Sequence, residues 1–310
     1  MKFRHDPASI RGAISAMVTP FTADGKLDES SLDRLARWQV ASGAHGLSIG
    51  GSTGEPSSQS VDERIRAMAV VAAVAGDQLP FVPGVGSPKL SETLELTEAA
   101  QRLRADLVLV ITPYYVRPTQ EGLVAWFGAV AAEFPSLPIA IYNVPSRTAV
   151  DIAPETVLRL RREHSNIVGI KETTKDFEHF SRVLHLCGRD FLVWSGIELL
   201  CLPLLALGGA GFVSALCNIA PAGVARMYDA WAAGDTEGAR ELHYALHPLA
   251  DLLFIESNPS PAKWVMQRAG VLDAACVRPP LIPLTEGGQK RALATLESAA
   301  ELLNREVPVP

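Results

Sequence analysis

The 310-residue chain lacks the features that mark several large classes of protein. Its four cysteines are widely spaced and include no Cys-x-x-Cys pair, so reduced thiols in or near the core are expected. No apolar run approaches the ~20 residues of a membrane-spanning helix, and the longest apolar-rich stretch, residues 197–207, is interrupted by Glu198 and Pro203. The net charge of -6 argues against nucleic acid as the main partner, because phosphate binding needs a basic surface.

A secretory targeting signal and several common catalytic motifs are also missing. Residues 1–10 carry charge, histidine and proline but no apolar core of a secretory signal, so a cytoplasmic protein is predicted. No GxGxxG sequence follows the first predicted strand, and no GxSxG sequence offers a hydrolase nucleophile. His243 and His247 have metal-ligand spacing but lack the intervening glutamate of a metalloprotease motif. The sequence therefore predicts no metal site.

The chain does contain a regular alternation of short apolar segments and amphipathic stretches. Eight segments rich in Val, Ile and Leu are typical of parallel strands that are buried on both faces. They are residues 14–21, 46–51, 81–86, 107–115, 138–145, 167–173, 191–197 and 211–216. Amphipathic stretches of helical length lie between them, including residues 30–41, 61–75, 91–104, 120–134 and 154–164.

After about residue 220 the pattern is helical throughout, at residues 222–233, 236–254, 261–269 and 289–304. The alternation predicts an α/β fold, a (β/α)8 TIM barrel. We place the catalytic barrel at residues 1–225 and a C-terminal helical appendix at residues 226–310. An open doubly wound sheet is the alternative, but it lacks the phosphate-binding glycines.

Catalytic groups of such barrels lie at the carboxyl ends of the strands, and Lys171 stands there, after the apolar residues 167–170. Burial favours the neutral amine, which can attack a ketone to form an imine. The protonated imine is an electron sink for making or breaking a carbon–carbon bond. The alternative is a lysine that pairs with Glu172 or reaches solvent.

Hydroxyl groups and one guanidinium occupy other predicted strand ends. Tyr114, Tyr115 and Tyr142 are three of the five tyrosines in the chain, and a Ser-Thr pair at residues 52–53 follows the second strand. A phenol can carry a proton if a second hydroxyl relays it. A strand-end tyrosine can instead be a packed ring whose hydroxyl group contacts solvent. Arg147 can bind a substrate carboxylate in bidentate fashion, or form a surface ion pair.

Four motifs resemble those of the dihydrodipicolinate synthase/N-acetylneuraminate lyase family of class I pyruvate aldolases. They are GSTGE at residues 51–55, YNVP at 142–145, GIKE at 169–172 and NPSPAK at 258–263. The resemblance runs from about residue 12 to residue 296. It implies a covalent imine with pyruvate or another 2-oxo acid, no metal or organic cofactor, and a homotetramer built as a dimer of dimers.

The resemblance also implies a catalytic role for four residues. Lys171 matches the lysine of the Schiff base, and Tyr142 matches the tyrosine that moves protons at the imine and at the new bond. Ser52 matches a proton-relay position. Tyr115 matches a relay tyrosine that is contributed across a dimer interface.

Four further positions match substrate-binding residues of the family. Thr53 stands where the pyruvate carboxylate is held, and Val213 where a backbone carbonyl lines the pyruvate site. Gly196 offers a backbone carbonyl near the second substrate. Arg147 is similar to the synthase residue that grips the carboxylate of aspartate semialdehyde, and the sialic acid lyase lacks that arginine.

Some positions depart from the synthase pattern. Ser52 is the choice of the lyase, and Ala149 replaces a glycine. Val61 and Arg64 stand where the lysine-inhibited synthases have histidines, and Pro88 stands where they have an asparagine. Feedback inhibition by lysine is therefore not expected.

The sequence leaves the second substrate open. Residues 50–52, 175–179 and 195–198 resemble a degradative branch, the dihydroxyheptenedioate aldolases, which would release pyruvate and succinic semialdehyde. A carboxylated aldehyde suits Arg147 in either case. A dehydratase or aldolase acting on a 2-oxo-3-deoxy sugar acid shares the imine chemistry. A non-enzymatic sensor of 2-oxo acids is the remaining hypothesis, and the intact set of lysine, tyrosine and hydroxyls argues against it.

Overall fold

The computed structural model describes residues 5–306 and 308 of the chain. Within that part, a parallel seven-stranded sheet has the strand order β2-β1-β7-β6-β5-β4-β3. The strands are β1 (Gly12–Ala16), β2 (Gly46–Ser48), β3 (Val108–Ile111), β4 (Ile139–Asn143), β5 (Ile167–Glu172), β6 (Leu192–Ser195) and β7 (Gly211–Ser214). Every strand is buried along most of its length, as expected of a parallel sheet that is covered on both faces.

The third predicted strand, residues 81–86, does not form a continuous strand, and that part of the prediction is wrong. It forms isolated parallel bridges instead, from Leu47 of β2 to Phe81 and from Gly84 to Leu109 of β3. Pro83 lies between these bridges and carries no N–H group, so it cannot donate to a ladder. Because β2 and β3 are the two ends of the strand order, the bridges close the sheet into a barrel of eight segments.

Helices follow the strands and surround them. They are α1 (Glu29–Ala41), α2 (Val61–Ala75), α3 (Leu90–Arg102), α4 (Gln120–Glu133), α5 (Pro145–Thr148), α6 (Pro154–Glu163), α7 (Phe177–Cys187), α8 (Cys201–Ala206), α9 (Pro221–Ala232), α10 (Thr236–Leu252), α11 (Ser260–Arg268), α12 (Glu286–Ser298) and α13 (Ala300–Leu303). Most of the predicted helices end within three residues of these bounds. The helix predicted at residues 289–304 is instead two helices, α12 and α13.

Local capping explains two of the helix starts. The side chain of Asp28 accepts a hydrogen bond from the Ser31 amide at the start of α1. Ser60 and Glu63 form a reciprocal capping box at the start of α2. Such caps satisfy amides that the first turn of a helix leaves without intrahelical partners.

The inside of the barrel holds a core of its own, separate from the layer between strands and helices. Ile14, Leu109, Ala140, Trp194 and Val213 belong to this inner cluster, and all five are buried. Trp194 Nε1 donates to the carbonyl of residue 10, which ties the inner core to the chain that precedes β1. The filled lower barrel leaves the carboxyl-terminal ends of the strands as the place for a cavity.

The boundary predicted at residue 225 stays a prediction, and it falls inside α9. Residues 1–4, 307, 309 and 310 of the two predicted regions lie outside the described residues. No helix in the described part is long and apolar enough to cross a membrane. The cysteines are free, as predicted: three of them are buried and Cys276 is half-buried.

Candidate active site

Lys171 and Tyr142 stand side by side at the ends of β5 and β4. The two residues are register partners across these strands, so their side chains leave the same face of the sheet toward the barrel interior. Lys171 is only 6% exposed, and its Nζ lies 4.3 Å from the centroid of the Tyr142 ring. Lys171 forms no ion pair with any of the described residues.

Glu172 does not pair with Lys171, because consecutive residues of a strand point to opposite faces. It points out of the barrel and is fully buried beneath α7. Its carboxylate accepts hydrogen bonds from Asn143 Nδ2 and from the Thr173 amide, each at 2.9 Å, and lies 3.0 Å from His179 Nε2. Burial lowers the pKa of His179, but the Glu172 carboxylate outweighs it, so the pKa is raised overall.

Ser52 brings a second hydroxyl to the phenol of Tyr142. Ser52 Oγ and Tyr142 Oη are 3.2 Å apart, and either one can donate. Burial raises the pKa of Tyr142, but the charge of Lys171, the hydrogen bond to Ser52 and the charge of Arg147 together lower it below its usual value. The two hydroxyls therefore form a short path for a proton. The phenol of Tyr142 ionises more readily than that of an ordinary buried tyrosine.

A cavity of about 200 Å³ opens above this pair. It is lined by Gly50, Gly51, Ser52, Pro56, Ser57, Gly84, Gly86, Leu109, Ile111, Tyr114, Tyr142, Arg147 and Thr148. Arg147, on the short helix α5, is largely exposed and forms no ion pair with a described residue, so the predicted alternative of a surface ion pair is not found. The phenol of Tyr142 and the exposed guanidinium of Arg147 thus both line the cavity, and the amine of Lys171 lies next to the Tyr142 ring.

Thr53 lies beside Ser52 in a short 3₁₀ turn, residues 52–54, and is 7% exposed. Its Oγ1 accepts a hydrogen bond from Asn258 Nδ2 at 3.0 Å. At the end of the same loop, Glu55 forms a buried ion pair with Lys263, with Nζ and Oε1 2.5 Å apart. The sequence motifs named both segments, but their contact was missed because the residues lie more than 200 positions apart along the chain.

The structure brings Gly196 close to Lys171 and places Val213 in the barrel wall. A Cβ atom on Gly196 would lie 2.7 Å from Lys171 Cε, so no other residue fits there without a shift. Val213, in β7, pairs with Ile14 of β1 and is buried. Gly196 therefore leaves room for the lysine side chain.

Ser52, Tyr142 and Arg147 are the proposed site residues that line the cavity, and Tyr115 lies outside it. Its side chain is 91% exposed and its φ of 76° is left-handed. The neighbouring Tyr114 lines the cavity instead. The exposed ring of Tyr115 is available to a second copy of the chain.

Glu198 is a carboxyl group near the site, and the sequence analysis named it only as an interruption of an apolar stretch. Ser214 Oγ donates to it at 2.6 Å and the Ala215 amide donates at 2.8 Å. Burial raises its pKa, while these hydrogen bonds and the charge of Lys171 act in the opposite direction. Its contacts join the loop after β6 to the loop after β7.

His243 and His247 lie side by side on α10, with their Nε2 atoms 3.2 Å apart. No group of three or more histidine, cysteine, aspartate or glutamate side chains suited to a metal occurs among residues 5–306 and 308. Among the described residues, the His243–His247 pair therefore lacks the third side chain that a metal site of this kind would need.

An α/β barrel with an unpaired buried lysine beside a tyrosine at the strand ends is the arrangement of a class I aldolase. The chain matches the model of the dihydrodipicolinate synthetase family over residues 9–299, and it belongs to that family. It is a pyruvate-dependent lyase. Enzymes of this family use a covalent Schiff base with lysine and no external cofactor.

Individual relatives cover almost the whole chain. The 4-hydroxy-tetrahydrodipicolinate synthase of Thermus thermophilus is 46% identical over 281 residues, which are 91% of this chain and 93% of that protein. The structure of the 4-hydroxy-tetrahydrodipicolinate synthase from Methylacidiphilum fumariolicum is 36% identical, with a TM-score of 0.91 and coverage of 96% and 98%. A dihydrodipicolinate synthase from Acinetobacter baumannii, solved with pyruvate, is 36% identical, with a TM-score of 0.90 and coverage of 94% and 99%.

Proposed function

We propose that this chain is a 4-hydroxy-tetrahydrodipicolinate synthase, which condenses pyruvate with aspartate semialdehyde through an imine on Lys171. The observation that carries the proposal is the buried Nζ of Lys171, which has no carboxylate partner among the described residues and lies 4.3 Å from the ring of Tyr142. The names of the relatives from Thermus and Methylacidiphilum support this choice of substrates. The dihydroxyheptenedioate alternative receives no support from the comparisons.

The first step is attack of the Lys171 amine on the keto carbon of pyruvate. The carbinolamine loses water, and the imine that remains withdraws electrons from the adjacent methyl group. Loss of a methyl proton gives an enamine, whose carbon then attacks the aldehyde and forms the new carbon–carbon bond. Hydrolysis of the product imine or its displacement by the aldehyde's own amino group returns the free lysine.

Tyr142 and Ser52 move the protons in this sequence. The phenol lies beside the lysine and 3.2 Å from Ser52 Oγ, within the range of a proton relay. Tyr115 extends the relay from a neighbouring subunit, which is consistent with the exposure of its ring in the single chain. This role requires at least a dimer, and we propose a cytoplasmic homotetramer that is assembled as a dimer of dimers.

The two substrates are bound by different groups. Thr53 and the backbone carbonyl of Val213 bind pyruvate, and the backbone carbonyl of Gly196 lies near the second substrate. Arg147 binds the carboxylate of the aldehyde, since its guanidinium is free and can form a bidentate pair.

Borohydride trapping with pyruvate, followed by peptide mapping, tests the proposal. We expect a stable adduct on the peptide that contains Lys171 and none on the peptide that contains Lys263, the matched control, because Lys263 is buried in an ion pair. A folded protein that gives no adduct, or gives it elsewhere, would contradict the mechanism. Turnover of succinic semialdehyde in preference to aspartate semialdehyde would contradict the substrate.

The change Arg147→Ala separates the two substrates. We expect the KM for the aldehyde to rise about tenfold or more, while the KM for pyruvate changes less than about twofold, because loss of a charge-assisted hydrogen bond costs about a decade or more in affinity. Steady-state kinetics with each substrate varied in turn provides the measurement. Equal increases in both values would remove the role assigned to Arg147.

A further inference from the structure

The loop that carries Ser52 and Thr53 is fixed by contacts with a distant part of the chain. Asn258, on the segment between α10 and α11, donates to Thr53 Oγ1 and is 6% exposed. Lys263, on α11, pairs with Glu55 at the end of the loop and also donates to the carbonyl of Cys276 at 2.8 Å. The α10–α11 region therefore holds the loop at two points.

The direction of the Asn258 hydrogen bond determines where the Thr53 proton can go. A hydroxyl has one proton to donate and two lone pairs that accept. Because Asn258 Nδ2 occupies a lone pair of Thr53 Oγ1, the hydroxyl proton remains free to point elsewhere. Thr53 donates this proton to none of the described residues.

We propose that Asn258 is a positioning residue, which orients the Thr53 hydroxyl so that its proton is donated to the carboxylate of pyruvate. This inference rests on the proposed function, in which Thr53 binds that carboxylate. Asn258 itself need not touch the substrate. Its effect reaches pyruvate through Thr53 alone, and this distinguishes it from a residue that only stabilises the fold.

The first measurement is the pyruvate concentration that gives half of the maximal borohydride adduct on Lys171. We expect Asn258→Ala to raise this concentration about tenfold, because a Thr53 hydroxyl that is no longer oriented weakens one hydrogen bond to a charged group. The KM for the aldehyde and kcat at saturating pyruvate should change less than about twofold. Asn258→Ser, which keeps a small donor, should recover part of the pyruvate affinity.

Asn166→Ala is the matched structural control. Asn166 Nδ2 donates to the carbonyls of residues 131, 134 and 137 at the amino-terminal end of the barrel, away from the cavity. Its loss should lower the melting temperature without a selective change in pyruvate affinity. Melting temperatures of all variants separate a general loss of stability from the proposed effect.

A double-mutant cycle with Thr53→Val tests whether Asn258 acts through Thr53. If it does, Asn258→Ala has no further effect on pyruvate affinity once the Thr53 hydroxyl is absent, so the two changes are not additive. Additive effects, or an unchanged pyruvate affinity in Asn258→Ala, would overturn the inference and leave the proposed function intact. Failure of the wild-type protein to trap pyruvate would overturn both.

Discussion

In the described part of the molecule, two buried lysines lie over aromatic rings, and they differ in their carboxylate partners. Lys171 lies 4.3 Å from the ring of Tyr142, and Lys263 lies 4.2 Å from the ring of Phe21. Lys263 is paired with Glu55, whereas Lys171 has no carboxylate partner in the described part of the chain. Burial over a ring therefore does not by itself identify a reactive lysine. The missing counter-ion does, because an unpaired amine is free to act as a nucleophile.

The change Lys171→Met is the strongest test of this difference. We expect turnover to fall by at least about a thousandfold, since the nucleophile is removed. The melting temperature should be equal to or higher than that of the wild-type protein, because an unpaired amine no longer has to be buried. A steady-state assay and a thermal melt check both. A turnover rate near that of the wild-type protein would show that Lys171 is not the nucleophile.

The matching change Lys263→Met should have the opposite profile. It leaves the Glu55 carboxylate buried without its partner, which costs about 3–5 kcal/mol of unfolding free energy. Trapping of pyruvate on Lys171 should persist at temperatures where the variant is folded. Denaturant unfolding measures the loss, and the double variant Glu55→Gln with Lys263→Met should recover much of it. A double variant no more stable than Lys263→Met would contradict a structural ion pair.

The change Tyr142→Phe makes the ring beside Lys171 resemble the ring beside Lys263. We expect kcat to fall about a hundredfold, because the phenol that transfers protons is lost, while borohydride still traps the imine. Ser52→Ala should cause a smaller loss of the same kind. Loss of trapping in a folded Tyr142→Phe protein would show that the ring, rather than the hydroxyl, maintains the reactivity of the lysine.

Another cation–carboxylate pair, Arg278 with Glu63, adjoins the Lys263–Glu55 pair but lies near solvent. The hydrogen bond from Arg278 lowers the pKa of Glu63 to about 2 from the usual 4.5. Because the folded pKa is the lower one, the pair stabilises the fold above pH 4.5 and loses this effect as the pH falls toward 2. Solvent screening limits the gain to about 1 kcal/mol.

Melting curves of wild-type protein and Glu63→Gln over that pH range test this smallest effect. The difference in melting temperature between the wild-type protein and Glu63→Gln should shrink steadily as the pH falls and vanish near pH 2. An advantage that does not depend on pH would mean that the shape of the side chain matters and its charge does not.

Sequence reasoning succeeded where contacts are set by strand register. Lys171 and Tyr142 were each placed at a strand end, and parallel strands of one barrel bring such ends to the same face. It failed at residues 81–86, where Pro83 interrupts the strand, because an apolar pattern does not show that a residue lacks the N–H group for a ladder hydrogen bond. The contacts of Asn258 and Lys263 with the active-site loop join residues 205 and 208 positions apart, and no local pattern encodes such a pairing.

The interrupted segment at residues 81–86 has a consequence for the motions of the barrel. Gly84 and Gly86 line the cavity, and the segment exchanges backbone hydrogen bonds with both neighbours except at Pro83, which has no N–H group to donate. A strand that lacks a ladder hydrogen bond opens locally at a lower free energy than an uninterrupted strand and exchanges its amide hydrogens sooner. The wall of the cavity is thus also a seam of the barrel, and a ligand that fills the cavity should slow amide exchange there more than in β4 or β5.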